Sequence, residues 1–207
     1  MRHTIAFPFF NRVDEVNGAE NIPQKGPFVV AANHISHLEH FFIGAEIVRV
    51  TDQKVHFIAK PEYWQWPGAQ GMAKYLGAIV YDKQNKAACL EPAIEVLKKG
   101  GIVAIFPEGT RNFDHDLLEG RTGVARMVLG ARVPVLPVGY LGPHTYSFLD
   151  TIKHLYWLEK KMTINFGQPL DFSKYFGQEI NKPLLREVTT QIMKAIAPLC
   201  HKNYPYQ

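Results

Sequence analysis

The stretch FVVAANHISHLEH, residues 28–40, decides the fold of this 207-residue chain. Its first five residues are all apolar, which is typical of a strand that is buried on both faces of a parallel sheet. Polar residues follow directly, and a helical pattern begins near Glu39. A strand that passes through a polar loop into a helix is the repeating unit of α/β folds, and functional groups gather where such strands end.

The same alternation of short apolar runs and longer helical runs continues along the chain. After the strand at 28–32, further strands are predicted at 55–59, 78–81, 102–106, 135–140 and 162–166. Helices are predicted at 39–50, 86–99, 123–131 and 183–199. We therefore expect one α/β domain over residues 1–207, in which a mixed, mostly parallel sheet is flanked by helices.

The composition argues against several functional classes. The 23 basic and 19 acidic side chains give a formal charge of +4, and no Lys/Arg run or alternation of basic and aromatic residues indicates nucleic-acid binding. The two cysteines, Cys89 and Cys200, are too far apart for a zinc knuckle or a disulfide framework. No apolar run reaches the roughly 18–20 residues that span a bilayer. We expect a cytoplasmic protein that is soluble or peripheral at a membrane.

The segment NHISHLEH, residues 33–40, is the first candidate site. As a metal site it fails by spacing, since Ile35 stands where an H-x-H-x-D-H pattern needs a ligand and no helical H-E-x-x-H is present. As a catalytic pair, His34 would accept a proton from a hydroxyl group while Glu39 holds the other ring nitrogen. The letters SHLE at 36–39 also fit a helix capping box, in which Glu39 has only a structural role. The sequence predicts no metal and leaves the last two alternatives open.

The segment FPEGTR, residues 106–111, is the second candidate site, at the end of another predicted strand. Gly109 permits close backbone approach, Thr110 offers a hydroxyl group, and Arg111 has a planar fork suited to phosphate. Glu108 would bond either an acceptor molecule or Arg111. The alternative is a tight turn with an exposed salt bridge. Because both segments follow strands, we expect them to meet in one crevice if their strands are neighbours.

Together and in this order, the two segments resemble the glycerolipid acyltransferase family, of the lysophosphatidate acyltransferase type. That family carries N-H-x-x-x-x-D, followed further along by F-P-E-G-T-R. The other similar blocks are GAENIP at 18–23, GAIVYDK at 77–83, GRTGVAR at 120–126 and VPVLPV at 133–138. The resemblance covers residues 13–168. It departs from the family pattern at Glu39, where the family has Asp, and at Lys83, where Arg is common.

The resemblance implies an O-acyltransferase of the 1-acylglycerol-3-phosphate acyltransferase kind, active in phospholipid biosynthesis. Such an enzyme moves an acyl chain from acyl-CoA or acyl carrier protein to a hydroxyl group of a lysophospholipid or related lipid acceptor, without a cofactor or a metal ion. The resemblance implies His34 as the general base and Glu39 as the acid that orients it. The residues expected to bind substrate are Lys60, Glu108, Gly109, Thr110 and Arg111.

A lipid substrate also implies a membrane surface as a partner, with reversible peripheral attachment at its inner face. Two aromatic-rich segments, 1–12 and 63–67, suit a lipid interface and are equally compatible with a place in the protein core.

Two other functions are compatible with the same candidate site residues. One is a hydrolase of thioesters or lipid esters, in which the base activates water, and the other is a catalytically weak protein that binds acyl lipids.

Overall fold

The computed structural model describes residues 13–37, 39–59, 69–80, 90–144 and 162–207. Within these residues one sheet is formed by seven strands: β1 (Glu15–Asn17), β2 (Phe28–Ala32), β3 (Val55–Ala59), β4 (Ala78–Val80), β5 (Ile102–Ile105), β6 (Val135–Leu141) and β7 (Thr163–Phe166). The order across the sheet is β1-β7-β6-β2-β5-β3-β4. Neighbouring strands are parallel except for β6 and β7. The sheet is therefore mixed and mostly parallel, as predicted.

The described residues also contain five α-helices: α1 (Glu39–Thr51), α2 (Ala69–Leu76), α3 (Glu91–Lys98), α4 (Gly123–Ala131) and α5 (Lys182–Leu199). The start of α5 is fixed by Asn181, whose side chain accepts a hydrogen bond of 3.0 Å from the backbone N–H of Leu184. No helix in this part of the chain has both the length and the apolar character that crossing a membrane requires.

The two faces of the sheet are covered by different helices. Side chains alternate along a strand, so Val29 and Ala31 of β2 pack with α3, α4 and α5 on one face. Phe28 and Val30 of the same strand pack with α1 on the other face. The sheet is thus the middle of three layers, which explains why β2 is apolar at every position.

The positions of β2 and β5 bring the two motif-bearing loops together. The central strand β2 lies between β5 and β6 and is parallel to both. Phe28 pairs with Ile102 and Ala31 pairs with Ile105, so the two strands end at the same level. The loops that follow β2 and β5 therefore begin side by side at the carboxyl edge of the sheet, where sites in α/β folds are usually found.

The structure confirms the predicted α/β class and shifts several element bounds. Strand β5 ends at Ile105, because Phe106 already belongs to a turn. In this turn the N–H of Gly109 donates to the carbonyl oxygen of Phe106 at 3.0 Å. Strand β1 was not predicted, since it is a short edge strand with two exposed polar residues and no apolar run. Helix α2 was also not predicted. Helix α3 begins at Glu91, and the predicted helical residues 86–89 lie outside the described residues.

Candidate active site

His34 lies just beyond the end of β2, where its imidazole ring is partly accessible. The side chain is 22% exposed. The ring stacks on the ring of Phe106, with centroids 4.3 Å apart and an angle of 13° between the planes. Because Phe106 follows β5, this stacked pair joins the ends of two neighbouring strands. The contact restricts the orientation of the His34 ring and leaves part of it open to a ligand.

Asn33 fixes the backbone immediately before His34. Its side-chain amide donates to the carbonyl oxygen of Tyr140 at 3.0 Å and accepts from the N–H of Tyr140 at 2.7 Å. Asn33 is buried and imitates a backbone peptide, so it extends the pairing of β2 with β6 by one step. Sequence reasoning gave Asn33 no role of its own. The available signal was an amide side chain directly after a fully apolar strand.

Glu39, the first residue of α1, holds one nitrogen of the His34 ring. Its Oε1 atom pairs with Nδ1 of His34, and its side chain is fully buried. Burial raises the pKa of the Glu39 carboxyl, while the hydrogen bond and charge of His34 and the backbone amides of Glu39 and Ser36 oppose that rise. An N–H at Nδ1 that donates to Glu39 leaves a lone pair on Nε2. The ring can therefore accept a proton at Nε2.

The carboxyl group of Glu39 is only half satisfied. Its Oε2 atom is buried and makes no hydrogen bond with any described residue. The structure agrees in part with the capping-box alternative, because the backbone amide of Ser36 is among the groups that lower the pKa of Glu39. The side-chain hydrogen bond of Glu39, however, is made with His34. The structure brings the predicted pair together, and its catalytic role stays a prediction.

Glu108 holds the backbone of His34 from the neighbouring loop. The residue is 3% exposed, and its Oε1 atom accepts from the N–H of His34 at 3.1 Å. Its Oε2 atom accepts from Nδ2 of Asn112 at 2.8 Å and from the N–H of Leu118 at 3.0 Å. The N–H of Asn112 in turn donates to the carbonyl oxygen of His34 at 2.7 Å. Both backbone polar groups of His34 are thus bonded to the loop that follows β5.

These contacts give Glu108 internal partners that sequence reasoning did not foresee. It was predicted to bind substrate, and that contact stays a prediction. Asn112, which is buried and directly follows FPEGTR, was missed altogether. Its Nδ2 atom also donates to the carbonyl oxygen of Asp116 at 2.7 Å, so it folds the loop back on itself. The sequence signal was weak, because a single Asn after Arg111 is ordinary in a loop.

Gly109 and Thr110 lie at the turn of the same loop. Gly109 has φ of 70°, a left-handed conformation that favours glycine, and a Cβ atom there would lie 2.5 Å from Nε of Arg121. The close approach at Gly109 is therefore made by the side chain of Arg121, a cation that sequence reasoning did not assign to the site. Thr110 is exposed.

Arg111 contacts His37, which belongs to the first loop. Nη1 of Arg111 lies 2.6 Å from Nε2 of His37. Burial, and then the charges of Arg111 and His34, lower the pKa of His37. Arg111 can only donate, so the imidazole must accept with an unprotonated Nε2. The two loops are thus joined a second time, by side chains.

His40 has different surroundings from the other two histidines of the segment. Its ring contacts Phe41 and Phe57, with centroid distances of 4.0 Å and 5.4 Å. Although part of the residue reaches solvent, enclosure of the ring and the charges of His34 and His37 lower the pKa of His40 to about 3. Over the ranges that the structure describes, no three His, Cys, Asp or Glu side chains are grouped as metal ligands would be.

The C-terminal residues support the second loop from its far side. Nζ of Lys202 donates to the carbonyl oxygen of Asp114 at 2.6 Å and to that of Asn112 at 3.3 Å. The N–H of Leu117 donates to the carbonyl oxygen of Asn203 at 2.9 Å. The chain after α5 therefore fixes the segment that carries Asn112.

Several predictions lie outside the described residues. They are Lys60 as a substrate-binding residue, Lys83, Cys89, and the aromatic-rich segments 1–12 and 63–67. Seven residues were predicted to form the site, and all of them except Lys60 are described. These six lie on the two loops at the ends of β2 and β5 and at the start of α1. The topology thus brings together what the sequence holds far apart.

Known proteins share this chain's sequence pattern. The model of the family named Acyltransferase matches residues 14–141, more than half of the chain. The 1-acyl-sn-glycerol-3-phosphate acyltransferase of Bacillus subtilis is 28% identical over 190 residues, which cover 91% of this chain and 88% of that protein. The 1-acyl-sn-glycerol-3-phosphate acyltransferase alpha of Mus musculus is 33% identical over 129 residues, which cover 60% of this chain and 44% of the mouse protein.

A solved structure shares the fold. The crystal structure of the 1-acyl-sn-glycerophosphate acyltransferase PlsC from Thermotoga maritima superposes with a TM-score of 0.67 at 26% identity, covering 95% of this chain and 76% of that one. The family match runs from β1 to β6 and includes both site-forming loops. The chain is therefore an O-acyltransferase and belongs to the acyltransferase family, of the lysophosphatidate acyltransferase type.

Proposed function

We propose that this protein transfers the acyl chain of acyl-CoA or acyl carrier protein to a hydroxyl group of a lysophospholipid or a related lipid acceptor, with His34 as the general base. One observation carries the proposal. The buried carboxyl of Glu39 is paired with Nδ1 of a His34 ring that remains partly accessible. A carboxylate at one ring nitrogen fixes the tautomer that makes the other nitrogen basic.

The reaction needs one proton acceptor and one proton donor, and His34 can be both. Nε2 takes the proton of the acceptor hydroxyl as its oxygen attacks the carbonyl carbon of the thioester. Glu39 stabilises the imidazolium that forms. When the tetrahedral intermediate collapses, the C–S bond breaks and the leaving thiolate takes the proton from Nε2. The products are an ester and a free thiol, and the base returns to its starting state.

Arg111 is the proposed ligand for a phosphate group of the acceptor. Its guanidinium contacts His37, three residues after the proposed base, and the N–H of the next residue, Asn112, bonds to the backbone of His34. A planar guanidinium binds phosphate oxygens with two parallel hydrogen bonds. The exposed Thr110 hydroxyl and the Gly109 backbone would add contacts, and Lys60 stays a predicted contributor.

Access to a lipid acceptor requires a membrane surface, so peripheral attachment at the inner face is part of the proposal. The positive formal charge of +4 favours anionic lipid headgroups. Co-sedimentation with vesicles of phosphatidylglycerol and of phosphatidylcholine measures this attachment. Binding to the anionic vesicles that weakens with salt is expected, and no binding to either vesicle would contradict it.

The function is tested by thiol release from acyl-CoA and from acyl carrier protein thioesters, with the product mass measured. The acceptors to compare are 1-acylglycerol-3-phosphate, which has a phosphate, and 1-acylglycerol, which lacks it. We expect thiol release that depends on the acceptor, and a lipid product heavier by one acyl group.

Two outcomes would contradict the proposed function. Thiol release that does not need an acceptor would indicate a hydrolase. Binding of the donor without turnover, unchanged in a His34→Ala variant, would indicate a protein that only binds acyl groups.

A further inference from the structure

The contact between His37 and Arg111 has no part in the acyl-transfer step itself. His37 is bonded through Nε2 to Nη1 of Arg111 at 2.6 Å. The lowered pKa of His37 keeps its ring neutral near pH 7, so that Nε2 is available as an acceptor. The pair is therefore a charge-assisted hydrogen bond, which is stronger and more directional than a bond between two neutral groups.

Both members of this pair lie on the loops that hold the proposed base. His37 lies between His34 and Glu39 in sequence, on the loop that leads into α1. Arg111 precedes Asn112, whose N–H is bonded to the carbonyl oxygen of His34 at 2.7 Å. Because the backbones of both loops are joined at His34, the side chains of His37 and Arg111 meet only a few residues along the chain from the proposed base.

We infer that His37 is a positioning residue that orients the guanidinium of Arg111 toward the phosphate of the acceptor. The inference depends on the proposed function and specifies how its acceptor site is built. A guanidinium has five N–H donors, so one bond to His37 is compatible with two parallel bonds to a phosphate group. Holding a long side chain in its bound conformation reduces the entropy that is lost when the ligand binds.

The inference is tested with two variants of His37 that differ in one property. His37→Phe keeps a ring of similar shape and removes the acceptor, whereas His37→Gln keeps an acceptor oxygen. We expect His37→Phe to raise the KM for 1-acylglycerol-3-phosphate by up to about tenfold, because Arg111 would then lose its side-chain freedom only when the acceptor binds, with little change in kcat. His37→Gln should restore most of the affinity. The KM for the unphosphorylated 1-acylglycerol should be unchanged in both.

A double-mutant cycle separates action through Arg111 from direct binding. In an Arg111→Ala background, His37→Phe should have no further effect on the acceptor KM. If His37→Phe raises the acceptor KM as much in the Arg111→Ala background as in the wild type, His37 binds the acceptor itself. If His37→Phe alone leaves the acceptor KM unchanged, the contact with Arg111 has no function. Either result overturns the inference, as does a loss of kcat for both acceptors. If His37→Phe does not fold, His37→Ala takes its place.

A spectroscopic measurement keeps the inference separate from the proposed function. In protein with ¹⁵N-labelled histidine, Nε2 of His37 should show the shift of an unprotonated, hydrogen-bonded nitrogen at pH 7, and Arg111→Ala should change that shift. Absence of transfer to 1-acylglycerol-3-phosphate in the wild type would refute the function while this signal still reports the pair. A His37 signal that Arg111→Ala leaves unchanged would refute the pair even in an active enzyme.

Discussion

The two loops that form the site contribute different things to it. The loop after β2 supplies the proposed reacting groups, His34 and Glu39, which meet through their side chains. The loop after β5 supplies Glu108 and Asn112, which bind the backbone of His34 on both of its polar groups. The first loop thus carries the proposed reacting groups, and the second fixes the backbone of one of them.

The two buried carboxyl groups of the candidate site, Glu39 and Glu108, show the same difference. Glu39 has one oxygen on the His34 ring and a second oxygen that no described residue bonds, and burial raises its pKa. Glu108 accepts three N–H donors with its two oxygens. A buried carboxylate that lacks partners costs free energy, whereas one that accepts several N–H donors stabilises its loop. We therefore expect Glu39 to contribute to activity and to lower stability. We expect Glu108 to contribute to both activity and stability.

Removal of the proposed base should have the largest effect. His34→Ala is expected to lower kcat by roughly 10²–10⁴, the usual contribution of general base catalysis. The thermal transition should persist, because the side chain is partly exposed. His115→Ala, at an exposed position, is the matched control and should retain the wild-type rate. Wild-type transfer by the His34→Ala protein would show that the base is elsewhere.

Substitution of Glu39 should separate activity from stability. Glu39→Gln keeps the size of the side chain but cannot stabilise an imidazolium, so kcat should fall by roughly 10². The free energy of unfolding should stay the same or rise at neutral pH, because a carboxyl whose pKa is raised by burial opposes folding when it is charged. Glu39→Asp is the control that keeps the charge, and it should retain or improve the rate. A Gln variant as fast as the wild type would leave only the capping role.

Substitution of Glu108 should lower both the free energy of unfolding and kcat. In Glu108→Gln an NH₂ group replaces an oxygen that faces N–H donors, which should cost about 1–3 kcal/mol of unfolding free energy. A slight displacement of His34 should lower kcat by about tenfold and leave the acceptor KM unchanged. Urea unfolding and steady-state kinetics measure the two effects.

A control on the same loop sharpens the Glu108 experiment. Glu119 is exposed and pairs with Arg186 at 3.1 Å, so Glu119→Gln should change neither stability nor rate appreciably. An increase of the acceptor KM in Glu108→Gln, with kcat unchanged, would instead support the original prediction that Glu108 binds substrate.

The smallest effect on activity is expected at His40, which affects stability in acid. The pKa of its ring is about 3 in the folded chain and 6.5 when unperturbed. Between these values the unfolded chain binds a proton that the folded chain does not, so the free energy of unfolding falls as the pH decreases through this window. His40→Phe should reduce the difference in unfolding free energy between pH 7 and pH 5. An unchanged difference would show that the ring is not protected in the folded chain.

Sequence patterns predicted the elements that carry apolar runs. Strand β2 has only apolar residues because both of its faces are covered, and such a run is visible without a structure. Strand β1 escaped prediction because an exposed edge strand needs no apolar pattern. The two loops were recognised by residue types that suit proton transfer and phosphate binding.

The sequence by itself determined the fold class and the two motif segments, and it offered the pairing of His34 with Glu39 as one of two alternatives. Local chemistry is enough for these, because they depend on neighbours along the chain. The tertiary structure decided that β5 lies beside β2, and hence that Glu108 bonds the backbone of His34 and Arg111 bonds His37. Both contacts join residues that are 74 positions apart, and only the strand order brings such residues within hydrogen-bond distance.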